Sequence, residues 1–293
     1  MGQTVNTSVT CQDANRVAHS KGPRVGAAVV TFNRLSALQR CLASIWEQSY
    51  PPSTVLVVDN HSSDGTSEYL AATAITSPSL TVLRMSENLG PAGGFAKGMT
   101  WAVQKGYDYL WLMDDDCFPD NSCLDILLRS INRMDGAIVF PQTIEKTGRP
   151  SDYPGWWGVL IPCQLAECAG VPKEELFWWI EDTEYLQWRL PIIYGAQTIY
   201  AREAITQHTA TRPRHKPAWK YYYESRNTVY YRLYVQQKRY ARRCRRLIKF
   251  VGKTWLRIIF VEDEKLKKSR YFLKGTWHGL KGRLGKTIDP ASG

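Results

Sequence analysis

The sequence has no long apolar run, which argues against a membrane-spanning helix. About 18 consecutive apolar residues would be needed, and none of the 293 residues begins such a stretch. The best candidate, around Trp255 to Val261, is short and is interrupted by Arg257. The N-terminus is polar and lacks the apolar core of a signal peptide. No internal repeat or low-complexity tract occurs, so we expect a globular cytosolic protein.

Pairs of cysteines at metal-binding spacing are also missing. The seven cysteines form no Cys-x-x-Cys pair and have no histidine partners at zinc-site spacing. An odd number of cysteines without such spacing is typical of reduced structural thiols rather than of zinc or disulfides. We therefore expect all of these thiols to be reduced.

Acidic residues are scarce in the C-terminal quarter of the chain. Residues 212–286 carry 23 Lys or Arg against 4 Asp or Glu, whereas the remainder carries 15 against 23. This asymmetry favours a polyanionic partner, either nucleic acid or an anionic membrane surface. Because Leu247, Ile248 and Trp255 follow helical spacing among the basic residues, the membrane surface is preferred. The remaining alternative is that this region is a helix face that is simply solvated or packed on the rest of the protein. No nucleic-acid-binding motif occurs, so we expect no nucleic-acid partner.

Five apolar, β-branched segments alternate with helical patterns along the first half of the chain. The segments are VGAAVVT (25–31), TVLVVDN (54–60), LTVLRM (80–85), YDYLWLM (107–113) and GAIVF (136–140). Strands that are apolar throughout and alternate with helices predict right-handed βαβ units and a mostly parallel sheet in an α/β domain. Ligands of such sheets bind at the carboxyl ends of the strands.

Beyond this α/β region the pattern changes. We predict an N-terminal arm at 1–23, one α/β domain at 24–217 and a basic helical region at 218–293. Within the last region, residues 218–250 and 251–282 each follow an amphipathic pattern and predict two helices. The stretch PIIYGAQTIYAR (191–202) predicts a strand.

Three adjacent carboxylates follow the fourth strand. Asp114, Asp115 and Asp116 repel one another at the end of an apolar segment, so a bound cation would stabilise them. Oxygen ligands suit Mg²⁺ or Mn²⁺, which also bind substrate phosphates. Alternation along an extended chain would let Asp114 and Asp116 converge while Asp115 faces elsewhere. A solvated acidic turn is the alternative interpretation.

A second acidic cluster lies among tryptophans. Asp182 belongs to WWIEDTE (178–184), where desolvation would raise the pKa of a carboxylate toward the range of a general base. The alternative is an acidic helix N-terminus that favours the helix dipole. The residues alone favour neither interpretation.

Five motifs together resemble the inverting family-two glycosyltransferases of the GT-A fold. They are VVTFNR (29–34), VVDNHSSDGT (57–66), NLGPAGGFAKGM (88–99), WLMDDD (111–116) and WWIEDTEY (178–185). They occur in the family's order and cover roughly residues 24–235. Within the family, NLGPAGGF and the triple aspartate are most similar to bacterial galactofuranosyltransferases. The resemblance implies a Rossmann-like, mostly parallel sheet, here followed by a basic C-terminal helical region.

The resemblance also implies roles for individual residues. Asp182 would be the catalytic base, the second acidic residue of its paired motif. The donor nucleotide would be bound by Thr31, Asn33, Arg34, Asp59, Asn88, Asp114 and Asp115. Asp114 and Asp116 match the family's Asp-x-Asp pair and are the first two implied ligands of Mn²⁺ or Mg²⁺, with Asp116 the more direct ligand and Asp114 nearer the ribose.

The third metal ligand is less well specified by the motifs. The family often supplies a histidine from a strand after the base, but this chain has Tyr200 near that place. His208 is the first choice and His215 the second, and a site with neither is the remaining alternative.

The function implied is transfer of galactofuranose from UDP-galactofuranose to a hydroxyl of a glycan or lipid-linked glycan, in cell-envelope polysaccharide synthesis. A lipid-linked acceptor would place the protein at the inner face of the cytoplasmic membrane. Rhamnosyl transfer from dTDP-rhamnose is one alternative. A non-catalytic nucleotide-sugar-binding module is another, and the intact Asp116 and Asp182 argue against it.

Overall fold

The computed structural model describes residues 22–132, 134, 136–209, 215–236 and 240–290. These residues divide into two units. The first takes in 22–88, 94–171 and 185–209, and the second takes in 89–93, 172–184, 215–236 and 240–290. Most of the predicted N-terminal arm lies outside the described residues, and the predicted boundary at 217/218 stays a prediction.

Among the described residues, nine strands form one sheet in the first unit. They are β1 (Val25–Thr31), β2 (Thr54–Asp59), β3 (Leu80–Arg84), β4 (Tyr109–Asp114), β5 (Cys117–Pro119), β6 (Ile138–Glu145), β7 (Pro150–Ser151), β8 (Trp157–Pro162) and β9 (Thr198–His208). Their order is β3-β2-β1-β4-β8-β6-β9-β5, with β7 beside β6. The four strands β1 to β4 are mutually parallel, while β8 runs antiparallel to β4 and β6. The predicted α/β class with a Rossmann-like parallel core is confirmed.

Helices follow the strands as the apolar periodicity predicts. They are α1 (Leu35–Trp46), α2 (Thr66–Thr76), α3 (Gly90–Gln104), α4 (Cys123–Ile131) and α5 (Cys163–Ala169). The inner face of α1 buries Leu38, Leu42 and Ile45, as expected from their spacing, whereas Trp46 at its end is half-exposed.

The glycine-rich segment 88–99 is largely helical, because α3 begins at Gly90. A Cβ atom at Gly94 would lie 2.4 Å from Cγ1 of Val30 on β1. Glycine at this position therefore permits close packing of a helix on a strand, and it is not there to form a turn.

The second unit is mainly helical. It contains a 3-10 helix (Glu174–Leu176), α6 (Glu181–Glu184), α7 (Ala218–Tyr230), a π-helix (Tyr231–Val235), α8 (Tyr240–Phe260) and α9 (Lys265–Leu280). The predicted helix boundaries were wrong here. The π-helix ends the first predicted helix early, and α8 continues past residue 250 because its amphipathic pattern does. No helix among the described residues is both long enough and apolar enough to cross a membrane.

Two further expectations were wrong. Residues 191–193 belong to a π-helix (Tyr185–Ile193), and the strand predicted at 191–202 begins only at Thr198. Cys168 is disulfide-bonded, whereas Cys41, Cys117, Cys123, Cys163 and Cys244 are free. The spacing of cysteines along a chain does not reveal which thiols meet in space, so the sequence alone missed this bond.

Candidate donor site and acidic loop

The polar residues predicted at the strand ends come together in the first unit. Thr31 on β1 is in register with Asp59 on β2, and its neighbour Val30 is in register with Asp114 on β4. β4 ends at Asp114, and Asp115 and Asp116 occupy a turn before β5. Parallel strands thus place their carboxyl ends at one edge of the sheet, where ligands bind in open α/β sheets.

Asp115 lies inside this site, contrary to the alternation argument. Its Oδ2 accepts a hydrogen bond of 2.7 Å from Thr31 Oγ1, and its Oδ1 lies 3.2 Å from Arg34 Nη1. The same Arg34 nitrogen lies 2.5 Å from Asp116 Oδ2. Strand alternation stops at Asp114, and the turn that follows points both carboxylates at one guanidinium.

The end of β9 brings His208 beside Asp116. Cys117 on β5 is in register with His208 on β9, and the backbone N–H of Thr209 donates to the carbonyl of Asp116. As a result His208 Nε2 lies 3.4 Å from Asp116 Oδ1. The imidazole also stacks on Trp157, with ring centroids 4.3 Å apart. Tyr200 instead stacks on Phe140, farther back along the strand.

Burial and the Arg34 guanidinium shift the pKa values of the two carboxyl groups in this cluster. Burial raises the pKa of Asp115 to about 6, and the neighbouring Asp116 charge adds to this, although Arg34 opposes it. Burial also acts on Asp116, but hydrogen bonding to His208 and the charge of Arg34 outweigh it and lower the pKa. Burial would lower the pKa of Arg34, but the carboxylates of Asp115 and Asp116 raise it above its ordinary value.

Asp59 is fully buried and keeps one acceptor free. Its Oδ1 accepts from the backbone N–H of Ser62 at 2.9 Å, while its Oδ2 accepts no hydrogen bond from the described residues. A buried, unpaired carboxylate oxygen is costly, and a ligand donor would relieve that cost.

Asn33 is held near Asp59 by the β2–α2 turn. Its Oδ1 accepts from Ser63 N at 2.7 Å, and its own N–H donates to Ser62 Oγ at 3.0 Å. Ser62 was not singled out from the sequence, although its place in the HSSDGT turn was the available signal. The other two predicted residues, Asn88 in the β3–α3 loop and Asp114 at the end of β4, are half-buried.

Two clusters of potential metal ligands occur among the described residues. In the first unit, ligand atoms of Asp116, Cys117 and His208 lie within 4.8 Å of one another. In the second unit, His215 lies near Glu262 and Asp263, but Lys268 already makes ion pairs with both carboxylates. The first cluster therefore fits a cation better than the cluster that contains His215.

The predicted acidic loop lies in the second unit and differs from expectation in one respect. Asp182 is half-buried, and its Oδ1 accepts from the N–H of Thr183 at 2.5 Å. The desolvated carboxylate is its neighbour Glu181, which is buried with one oxygen unpaired. Burial, reinforced by the charge of Asp182, raises the pKa of Glu181 well above its ordinary value.

Aromatic rings and lysines accompany the acidic loop. Trp178 packs against Trp179 at 5.1 Å and against Trp219 at 5.2 Å between ring centroids. Lys220 Nζ lies 5.0 Å from the Trp178 ring and Lys216 Nζ lies 5.9 Å from the Trp179 ring. Trp179 is 41% exposed, so an aromatic face next to positive charge is open to solvent.

Comparison with known proteins adds independent information. A model of glycosyl transferase family 2 matches residues 27–209. Over 105 residues, 36% of the chain, the sequence is 39% identical to galactofuranosyltransferase GlfT1 of Mycolicibacterium smegmatis. Over 145 residues, 47% of the chain, it is 30% identical to undecaprenyl-phosphate mannosyltransferase of Micrococcus luteus. These alignments span 34% and 58% of the relatives' own lengths.

Solved structures support the same grouping at the level of the fold. S. aureus TarS 1-349 in complex with UDP superposes with a TM-score of 0.57 at 15% identity, covering 89% of this chain and 82% of that one. Its complex with UDP-GlcNAc gives 0.58 at 13% identity, with 88% and 81% coverage. The predicted GT-A architecture is thereby confirmed. Because the family model matches well over half of its residues, the chain belongs to glycosyl transferase family 2.

Proposed function

We propose that this protein transfers a sugar from a UDP-linked donor to an acceptor hydroxyl with inversion at the anomeric carbon. The observation that carries this proposal is the strand-end cluster, in which His208 Nε2 lies 3.4 Å from Asp116 Oδ1 and the buried Asp59 lies at the same edge of the sheet. A nucleoside diphosphate could supply a hydrogen-bond donor to Asp59 and phosphate oxygens that share a cation with Asp116. Its base has a donor for the unpaired Oδ2 of Asp59, and its phosphates can share a cation with Asp116.

The proposed donor is UDP-galactofuranose. The names of the GlfT1 relatives and the UDP complexes of TarS support a UDP-linked sugar, and the relatives support galactofuranose in particular. Rhamnosyl transfer from dTDP-rhamnose is the alternative among transferases. The proposed acceptor is a glycan or lipid-linked glycan of the cell envelope.

Asp116 and His208 are the proposed ligands of a Mn²⁺ or Mg²⁺ ion. Ligand atoms bound at about 2.1 Å to one octahedral ion lie about 3 Å apart when adjacent, close to the observed separation of 3.4 Å. A bound ion would offset the charge that builds on the leaving diphosphate. Arg34 contacts Asp115 and Asp116 and supplies a second positive charge at the same place. Thr31 orients Asp115, and Asp114 is assigned to the ribose.

Asp182 is the proposed general base. It is half-buried, so an acceptor hydroxyl can reach it, whereas Glu181 is enclosed and its raised pKa favours the neutral form. The solvent-exposed Trp179 offers a face on which an acceptor sugar can stack.

Kinetics of Asp182→Asn test this proposal. The substitution keeps the shape of the side chain but removes its ability to take a proton, so kcat should fall by about 10²- to 10⁴-fold with UDP affinity unchanged. Glu264→Gln, an exposed acidic residue of the same unit, is the matched control and should be fully active. Near-normal kcat in Asp182→Asn would exclude Asp182 as the base and direct attention to Glu184.

An anionic membrane surface is the proposed partner of the C-terminal helices. One side of α9 is buried, yet the helix exposes a second apolar stripe of Leu266, Leu273, Trp277 and Leu280, between 42% and 79% exposed. The exposed residues Lys267, Arg270, Lys274 and Lys281 follow the same spacing alongside this stripe. An apolar stripe bordered by basic residues is typical of helices that lie in a membrane interface. We assign this surface to the inner face of the cytoplasmic membrane, where a lipid-linked acceptor would be met.

A further inference from the structure

The backbone before the acidic pair is strained. Phe177, Trp179 and Ile180 have φ of 62°, 76° and 75°, in the left-handed region that residues with a Cβ atom rarely adopt. The carbonyl of Ile180 accepts from the N–H of Glu184 at 2.7 Å, so the helical turn that carries Glu181 and Asp182 begins at the last strained residue. Strain of this kind persists only where surrounding contacts impose it, and it concentrates at functional sites.

Asn227 on α7 supplies such contacts. Its Nδ2 lies 2.8 Å from the carbonyl oxygens of Leu176 and Trp178 and 2.9 Å from that of Trp179. The side chain is fully buried, so these interactions are shielded from water. One amide group thus holds three carbonyls of the strained segment in place.

Arg226 completes the arrangement. Its Nη2 donates to the carbonyls of Glu175 and Leu176 at 3.1 and 2.9 Å, and its Nε donates to Asn227 Oδ1 at 2.7 Å. The residue is fully buried, and the hydrogen bonds described for it go to carbonyl and amide oxygens rather than to a carboxylate. Burying a guanidinium is costly, and apolar residues would pack α7 at lower cost. A buried guanidinium at this position is understandable if its hydrogen bonds are needed to hold segment 175–180 in one conformation.

We propose that Asn227 and Arg226 are positioning residues, which hold the strained segment 176–180 in the conformation that presents Asp182. The proposal rests on the assignment of Asp182 as the base. Neither residue touches the acceptor in this scheme, and each acts through the backbone of the loop.

The first test is hydrogen–deuterium exchange of residues 174–184 in Asn227→Ser, which removes the amide donor. Ser225→Ala is the matched control, because Ser225 is buried on the same helix and bonds the carbonyl of Phe272 on α9 rather than the loop. We expect faster exchange of the loop in Asn227→Ser alone. Equal exchange in the two variants would overturn the proposal, whether or not the protein is a transferase.

The second test separates kcat from donor binding. With UDP-galactofuranose as donor, kcat of Asn227→Ser should fall by about 10- to 100-fold, because a shift of about 1 Å in a reacting group has effects of this size. UDP affinity, measured by calorimetry, should match that of Ser225→Ala. Wild-type kcat in Asn227→Ser would overturn the proposal, whereas an active Asp182→Asn would overturn the assignment of the base instead.

A rescue variant addresses the strain itself. Glycine adopts positive φ without a steric penalty, so Ile180→Gly should reduce the dependence of the loop on Asn227. Adding Ile180→Gly to Asn227→Ser should therefore recover part of the lost kcat. If the double variant is no more active than Asn227→Ser, the strain argument is wrong and Asn227 acts in another way.

Discussion

At the scale of single residues, the guanidinium of Arg34 forms ion pairs with two carboxylates that follow β4. Arg34 contacts both Asp115 and Asp116, while His208 contacts the other oxygen of Asp116. Asp116 thus has one oxygen directed at a guanidinium and one at an imidazole. The proposed metal ion would therefore bind on the His208 side of Asp116, where it would not displace Arg34.

Metal-dependent UDP binding tests this arrangement. His208→Gln removes the proposed nitrogen ligand, and the concentration of Mn²⁺ that supports half-maximal UDP binding should rise at least about 10-fold. Tyr200→Phe, on the same strand but stacked on Phe140, should leave that concentration unchanged. An unchanged Mn²⁺ requirement in His208→Gln would remove this residue from the metal site.

Sequence reasoning placed the proposed donor-site residues at the ends of strands, but it did not give their contacts. Thr31, Asp59 and Asp114 could be placed at strand ends because the apolar run of each strand stops at these polar residues. The role of Asp115 could not, because the chain turns immediately after Asp114 and side-chain alternation no longer applies. Likewise, the sequence shows that Glu181 and Asp182 are adjacent but not which of the two carboxylates is buried. In the structure the buried carboxylate is that of Glu181.

At the scale of elements, close contact between α7 and α9 depends on glycine. A Cβ atom at Gly275 would lie 2.2 Å from the carbonyl oxygen of Tyr222, and one at Gly279 would lie 2.4 Å from that of Arg226. Both positions face backbone, which cannot rotate away as a side chain can. The two helices consequently approach closely enough to bury Arg226 and Asn227.

Alanine substitutions in two helices test this packing. Gly279→Ala should destabilise the second unit by about 1–3 kcal/mol, since extra atoms in a filled core force the helices apart. Gly252→Ala on α8 has open space around its Cβ position and should stabilise by up to about 1 kcal/mol through helix propensity. Thermal melting measures both, and a Gly279→Ala protein as stable as Gly252→Ala would contradict the packing described.

The α8–α9 junction should make this unit sensitive to acid. Burial would raise the pKa of Glu262, but hydrogen bonds from Lys268 and Arg257 outweigh it and lower the pKa to about 2. In the unfolded chain the Glu262 carboxyl has its ordinary pKa of 4.5, so below that pH the unfolded chain binds more protons than the folded protein. The stability that ionised Glu262 contributes above pH 4.5 is therefore lost as the pH falls toward 2.

Glu262→Gln should flatten this acid dependence while lowering stability at neutral pH, because the buried Lys268 loses one of its two carboxylate partners and keeps only Asp263. Denaturant melts at neutral pH and at pH 3 give the comparison, with Glu264→Gln as the exposed control. An unchanged difference between the two pH values in Glu262→Gln would show that another group governs acid stability.

Helices were harder to delimit from sequence than strands. The amphipathic pattern continues from residue 218 to residue 260 with no proline, and its one glycine, Gly252, lies well beyond the π-helix, so periodicity alone could not place the π-helix at Tyr231–Val235. In α7 the three consecutive residues Tyr221, Tyr222 and Tyr223 are all buried, so burial there does not follow the period of an amphipathic helix.

At the scale of the whole molecule, charge and exposed apolar surface coincide. The basic region 212–286 contains α9, whose apolar stripe is bordered by Lys267, Arg270, Lys274 and Lys281. The remainder of the chain carries more acidic than basic residues. Attraction to an anionic surface would therefore act mainly through the C-terminal helices.

Vesicle co-sedimentation across a salt series tests the membrane surface. Binding to anionic vesicles should weaken as salt rises, because each basic residue near the surface contributes about 1 kcal/mol and is screened within roughly 10 Å. Leu273→Ser combined with Trp277→Ser should remove the salt-resistant part, whereas Ile75→Ser on α2, 85% exposed, should have no effect. Equal binding to neutral and anionic vesicles, or none to either, would reject this partner.

Release of the nucleoside diphosphate from a panel of sugar donors tests the central claim most directly. With acceptor and Mn²⁺ present, the protein should turn over UDP-galactofuranose faster than UDP-galactopyranose or dTDP-rhamnose, and chelation or Asp116→Ala should abolish the reaction. The measurement follows nucleotide release against time for each donor. Binding of UDP without turnover of any donor would make the protein a nucleotide-sugar-binding module, and full turnover in excess chelator would contradict the metal site at Asp116 and His208.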